Sequence, residues 1–322
     1  MKRGKFVVNY FYFFILLLLI SCGPNPSEKT TAAIDIALTL LSKDECDEAI
    51  EVLEEAGYQS SNGIYLQVLA SAYACKANFR EVDFLLTDLA PMDTTNINTI
   101  LKSISIMSLS DESTVDSMEY ISIGTGLSII LESTSGAPSQ QSREAKFGIR
   151  RAGDMGIQAL ILGLVNLGKF INLYGNAGPS GLKGGGSNSP ANTCFMNYTD
   201  VTSAGTVTTG GVTGACTTAT NGHPSLSRST AVGRRRLCEG LVLFTNIIDI
   251  LENLDISSNS QLSKLNDISS KVSPLRTMAT AAGLGTLISM TSQSDCETAM
   301  ATSSNLDKLE QFYVLIYEKG LL

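Results

Sequence analysis

Tryptophan is absent from this 322-residue chain, and histidine occurs once, at His223. One imidazole in a polar loop cannot build a multi-histidine metal centre. It has no G-x-S-x-G elbow to serve either, which argues against a serine hydrolase of that type. No C-x-x-C pair occurs, so a zinc or thioredoxin-like redox site lacks its usual ligands. Positive charge is also short. With 23 Lys and Arg against 31 Asp and Glu, the net charge of −8 repels nucleic-acid phosphates, and no nucleic-acid partner is expected. The run Asp44, Glu45, Asp47, Glu48 lacks the alternating oxygen ligands of a calcium loop. It reads as acid at a helix start, where it offsets the helix dipole. The stretch GPSGLKGGGS is not a phosphate loop, because Lys183 precedes the closing glycine. These absences point to no cofactor, no metal and no catalytic constellation. Apolar residues make up 43 % of the chain, ample for a core in one large or two modest domains.

The front end is distinctive. Lys2, Arg3 and Lys5 precede an apolar run from Phe6 to Ile20 broken only by Asn9, shorter than a spanning helix needs. Leu19, Ile20 and Ser21 then lead into Cys22. This order of features resembles the lipobox signal peptide of bacterial lipoproteins. The resemblance implies removal of residues 1–21, a diacylglycerol thioether on Cys22 and acylation of the new amino terminus. More than one acyl chain gives stable anchoring. An Asp after the lipidated cysteine tends to retain Gram-negative lipoproteins in the inner membrane. Gly23 stands there, so the resemblance implies anchorage to the outer membrane, facing the periplasm or the surface. Removing residues 1–21 takes three cations and no acid, moving the net charge from −8 to −11. Residues 22–32, with Pro24 and Pro26, read as a tether.

Residues 33–91 read as two helix hairpins. Ile36, Leu40, Ala49, Ile50, Leu53 and Ala56 recur at helical spacing, with Gly57 as a stop. Leu66, Leu69, Ala70 and Tyr73 line the next helix, and Phe79, Val82, Leu86 and Leu89 the one after. The second hairpin superimposes on the first with Ala37 on Ala70 and Leu53 on Leu86. This pattern resembles tetratricopeptide repeats, although Val82 replaces a usual small residue and the closing proline is missing. Small residues at Ala37 and Ala70 allow close helix approach.

With Cys22 lipidated, six cysteines remain, an even number suited to disulfides in an exported protein. They are Cys46, Cys75, Cys194, Cys216, Cys238 and Cys296, and they allow 15 complete pairings. The repeat register implies a Cys46–Cys75 bridge, since the start of one helix meets the end of the next. Cys194–Cys216 across the loop and Cys238–Cys296 between helices are the remaining expectation, with exchange between them left open.

Residues 92–322 read as a helical domain. Ile157, Leu160, Ile161, Leu164, Leu167, Ile171 and Tyr174 approach membrane length. Asn166, Lys169 and Asn172 instead argue for a buried core helix. Leu237, Leu241, Phe244, Ile248 and Leu251 mark a helix over 230–254. Pro274 is expected in the first turn of another helix, and a last helix closes the chain. A Gly/Ser/Thr-rich insertion at about 175–229 is stapled by its cysteines, with a small hairpin around Gly210-Gly211. Arg234, Arg235 and Arg236 read as a solvated face pairing with Glu239 and Asp200, or as a contact for an acidic partner or lipid headgroup.

The fold class is therefore all-α: antiparallel hairpins continuing into a helical array with a disulfide-stapled insertion. The leading function is a non-enzymatic protein-interaction module, a membrane-anchored lipoprotein holding a peptide or helix in its repeat groove. The alternative is a carrier or transport accessory with an apolar pocket in the helical body. A carboxylate-only envelope hydrolase is the third.

Overall fold

The computed structural model describes residues 25–107, 109–110, 112, 114–187, 191–198, 206–209, 212–216, 221–254 and 263–321. The signal segment, Cys22, the start of the tether and Asp200 lie outside the described residues. Among the described residues, the regular elements are helices and one small hairpin. Helices α1 (Pro26–Leu41), α2 (Cys46–Glu55) and α3 (Gly63–Lys76) fold back and forth. Helix α4 begins as one turn (Glu81–Asp83) and widens into a π-helix (Phe84–Leu89). Then come α5 (Ile97–Ser105), α6 (Met118–Leu131), α7 (Gln140–Phe147) and α8 (Ile149–Gly175). Strands β1 (Thr206–Thr209) and β2 (Val212–Ala215) pair antiparallel, Thr206 opposite Ala215, where the glycine pair predicted a hairpin. Helices α9 (Ala231–Asn253), α10 (Ser263–Ala281), α11 (Gln293–Ala299) and α12 (Ser303–Tyr313, continued by a π-helix Val314–Glu318) follow.

Helix α8 is the axis. Its most apolar window is 83 % buried, and it packs against α3, α5, α6, α7 and α9. Its near-membrane length is used as core, as its polar residues predicted. One continuous apolar cluster includes Leu53 and Leu66 as well as Leu164, Leu241 and Phe312. Residues 33–91 therefore share a core with the rest of the chain.

Four local readings change. The expected tether is helical from Pro26, because Pro26 sits in the first turn, where its missing N–H costs nothing, and Asn25 with Glu28 forms a capping box. Helix α1 buries Ala33, Ile34 and Ala37 and leaves Ile36 half exposed. In α4, Phe84 and Leu89 are buried while Val82 and Leu86 face outward. The wider π-turn aligns residues five apart and displaces the face that a 3.6-residue period predicts. Pro274 lies inside α10. The stripe Leu265, Ile268, Val272, Leu275, Ala279 begins upstream of it and carries the helix through.

Helices α1 and α3 end alike. Asp44 and Asn78 adopt the left-handed conformation, and Glu45 N–H and Phe79 N–H reach back to the carbonyls of Leu40 and Ala74, each 3.0 Å. Both are Schellman stops. All three expected disulfides are present: Cys46–Cys75, Cys194–Cys216 and Cys238–Cys296, with Cα separations of 5.6, 5.3 and 5.7 Å. The ion pairs Lys76–Asp47 (2.6 Å) and Arg80–Asp44 (2.8 Å) flank the first bridge. They are exposed, so they add little.

Two stability outcomes follow from this packing. Replacing Cys46 and Cys75 together by alanine should lower unfolding free energy by about 3–4 kcal/mol with helix content kept. Gly126 of α6 lies so close to α3 that an added Cβ would stand 2.8 Å from the Ala70 carbonyl oxygen. Gly126→Ala should therefore cost about 1–3 kcal/mol. Urea titrations followed by circular dichroism measure both, and an unchanged midpoint in either variant would contradict the packing.

Candidate functional site

Helices α6 and α9 both pack on α8 but hardly on each other. The gap between them is a cleft of about 840 Å³. Its walls carry Leu127 and Leu131 from α6 and Val242 and Leu243 from α9, and its outer side is the turn Thr291–Ser294 with Glu297 of α11. Asn246 holds that turn by donating to the Thr291 carbonyl (2.8 Å). Asn166 of α8 lines the cleft although only 3 % exposed, and its Oδ1 has no hydrogen-bond partner. Among the described residues, it is the amide on α8 with neither atom bonded.

One end of the cleft is polar. Tyr120 donates to Glu239 (2.5 Å), joining α6 to α9. Arg236 is buried and donates to Asp116 (2.6 Å) and to the Tyr174 hydroxyl (2.8 Å). The arginine run is thus not one solvated face. Arg236 is core, Arg234 donates to the Arg228 carbonyl (3.0 Å), and exposed Arg235 borders the cleft. Burial makes the charged form unfavourable, and Asp116 before α6 and Tyr174 of α8 supply Arg236 with fixed acceptors. The hydrogen bond from Arg236 holds the Asp116 carboxyl below its usual range. Burial pushes the Glu239 carboxyl up, opposed by Tyr120 and Arg236. It also raises the Tyr120 phenol well above its ordinary value, with Glu239 adding to the shift.

The other sequence candidates lie elsewhere. His223 is buried, edge-on to Tyr174 with ring centroids 4.9 Å apart, and its Nδ1 accepts from the Ser225 N–H (3.2 Å). Burial, then nearby Arg236, lowers its pKa to about 4, so near neutral pH it is an uncharged packing residue. Cys194, Cys216 and Glu318 bring their ligand atoms within 4.8 Å of one another. The sulfurs are joined, and Glu318 takes Lys183, the Phe195 N–H (2.7 Å) and the Tyr198 hydroxyl (2.7 Å). This group fastens the insertion to α12. Burial raises the Glu318 carboxyl, and Lys183 draws it back.

Sequence reasoning missed Tyr120 and Glu318 and saw Asn166 and Glu239 only in other roles. An amide in the middle of an otherwise apolar helical stripe was the one available signal.

Removing Glu318 takes away the carboxylate shared by buried Lys183, the Phe195 N–H and the Tyr198 hydroxyl. Glu318→Ala should cost about 3–5 kcal/mol, and adding Lys183→Met should recover part of it. A double variant no more stable than the single one would contradict the pairing. For His223 the folded pKa lies below the unfolded value near 6.5. The unfolded chain then takes up a proton that the folded chain refuses, so stability falls as pH drops from 6.5 towards 4. Between pH 7 and 5 the wild type should lose about 1–2 kcal/mol more than His223→Asn. Parallel pH dependences in urea denaturation would refute this.

No known protein family, curated protein or solved structure gives a significant match to the chain.

Proposed function

We propose that this chain is a non-enzymatic recognition lipoprotein of a bacterial envelope, anchored through Cys22, and that its helical body takes a small ligand between α6 and α9. The cleft carries this reading. Its volume of about 840 Å³ falls within the range of small-molecule sites. Leu127, Leu131, Val242 and Leu243 give it an apolar strip within an otherwise largely polar lining, and Asn166 stands unpartnered at its side. Among the described residues the lining includes no histidine or cysteine, which favours binding over nucleophilic chemistry.

The second reading is a partner peptide or helix in the groove of a tetratricopeptide-like array. The matching stops at Asp44 and Asn78 support it. Against it, α3 packs extensively on α6 of the helical body.

Two measurements test the proposal. Labelled fatty acid fed to a Gram-negative host should mark the wild type and not Cys22→Ala; equal label removes the anchor. Protein purified from native membranes should release a near-stoichiometric small molecule on denaturation. Gly124→Val, which places bulk beside Asn166, should release much less. Co-purification of a stoichiometric polypeptide with no small molecule would favour the groove reading instead.

A further inference from the structure

Two features inside the cleft are open to a partner. Asn166 offers a buried amide with neither atom bonded, a state that ordinarily costs stability unless a ligand donates to its oxygen or accepts from its nitrogen. Glu239 gives one oxygen to Tyr120, and among the described residues it makes no other hydrogen bond. The nearby Arg236 is committed to Asp116 and Tyr174. Glu239 thus faces the cleft as a partly buried carboxylate with no cation bound directly to it. At the rim, Glu132 and Glu297 outnumber Arg235.

Carboxylates thus exceed cations in the lining, with Asp116, Glu132, Glu239 and Glu297 against Arg235 and Arg236, beside the apolar side chains of Leu127 and Val242. An anionic ligand would meet this excess of like charge. A neutral apolar one would leave the free Glu239 oxygen and the Asn166 amide without a partner. We propose that the cleft binds a small organic cation, an ammonium or guanidinium group on an apolar body, with its N–H donors directed to Glu239 and Asn166. This rests on the small-ligand reading above and names the class of ligand.

The test uses the full mature chain with n-hexylammonium, hexylguanidinium, 1-hexanol and hexanoate as probes, followed by calorimetric titration. The two cations should bind at least tenfold more tightly than hexanol, and hexanoate should bind least. Glu239→Gln should remove the preference for cations over hexanol. Asn166→Leu should weaken cation binding at least tenfold while raising the melting temperature of the ligand-free protein, because it removes an unbonded buried amide. A merely structural Asn166 would instead destabilise on replacement. Hexanol or hexanoate binding as tightly as the cations would overturn the proposal, as would absence of cation binding to the wild type or undiminished cation preference in folded Glu239→Gln. The wild-type ranking decides the matter even if a variant fails to fold. An anionic or neutral molecule released from natively purified protein would overturn the cation class and leave the ligand-binding reading standing. No released molecule and no probe binding would remove both.

Discussion

Helix α8 has little solvent face beyond its first turns, so most polar side chains along its buried length are answered by another element, Asn166 excepted. Gln158 donates to the Gln67 carbonyl and to Ser71, which fixes α3. Lys169 pairs with Glu112 at 3.5 Å, and both are buried. Asn172 accepts from the Glu112 N–H and donates to the Ser105 carbonyl at the end of α5. Tyr174 accepts from Arg236 of α9. Asn176, the left-handed cap, donates to the Asn192 carbonyl in the insertion. The polar residues of one helix thus address α3, α5, α9 and the insertion in turn. A small number of directional bonds on a greasy core can specify packing that apolar contact alone leaves degenerate.

The covalent links continue this logic outward. Cys46–Cys75 ties α2 to α3. Cys194–Cys216 closes the insertion beside Glu318, where Phe195 also packs on Tyr317 with ring centroids 5.1 Å apart. Cys238–Cys296 joins α9 to α11, the element whose Glu297 and preceding turn form the outer side of the cleft. That third bridge therefore fixes cleft geometry as well as stability.

Much of this fold was legible because helical periodicity is a local property. The stripes of α8 and α9 needed no tertiary knowledge, and the hairpin register brought Cys46 to Cys75. The errors arose where local and global rules diverge. Pro26 was read as a breaker although the same residue is favourable one position after an asparagine cap. Val82 and Leu86 were placed inward by a period that the π-turn of α4 does not obey. The cleft was illegible for another reason. Tyr120 and Glu239 are 119 residues apart, and nothing in either neighbourhood marks the other. Asn166 was visible only as an argument against a membrane span.

The cleft itself follows from unequal helix spacing. Gly126 lets α6 settle closely on α3 at Ala70, and Gly163 lets α9 approach α8, where an added Cβ would stand 3.2 Å from Ile247. Each helix is drawn to a different neighbour, so the two do not close on each other. The Tyr120–Glu239 and Asp116–Arg236 contacts then fix the width at one end. Had the gap been filled by larger side chains, burial at about 25 cal/mol per Å² would have added stability. The chain instead keeps an unbonded amide and a partly buried carboxylate there. That forgone burial is what the proposed ligand would offset.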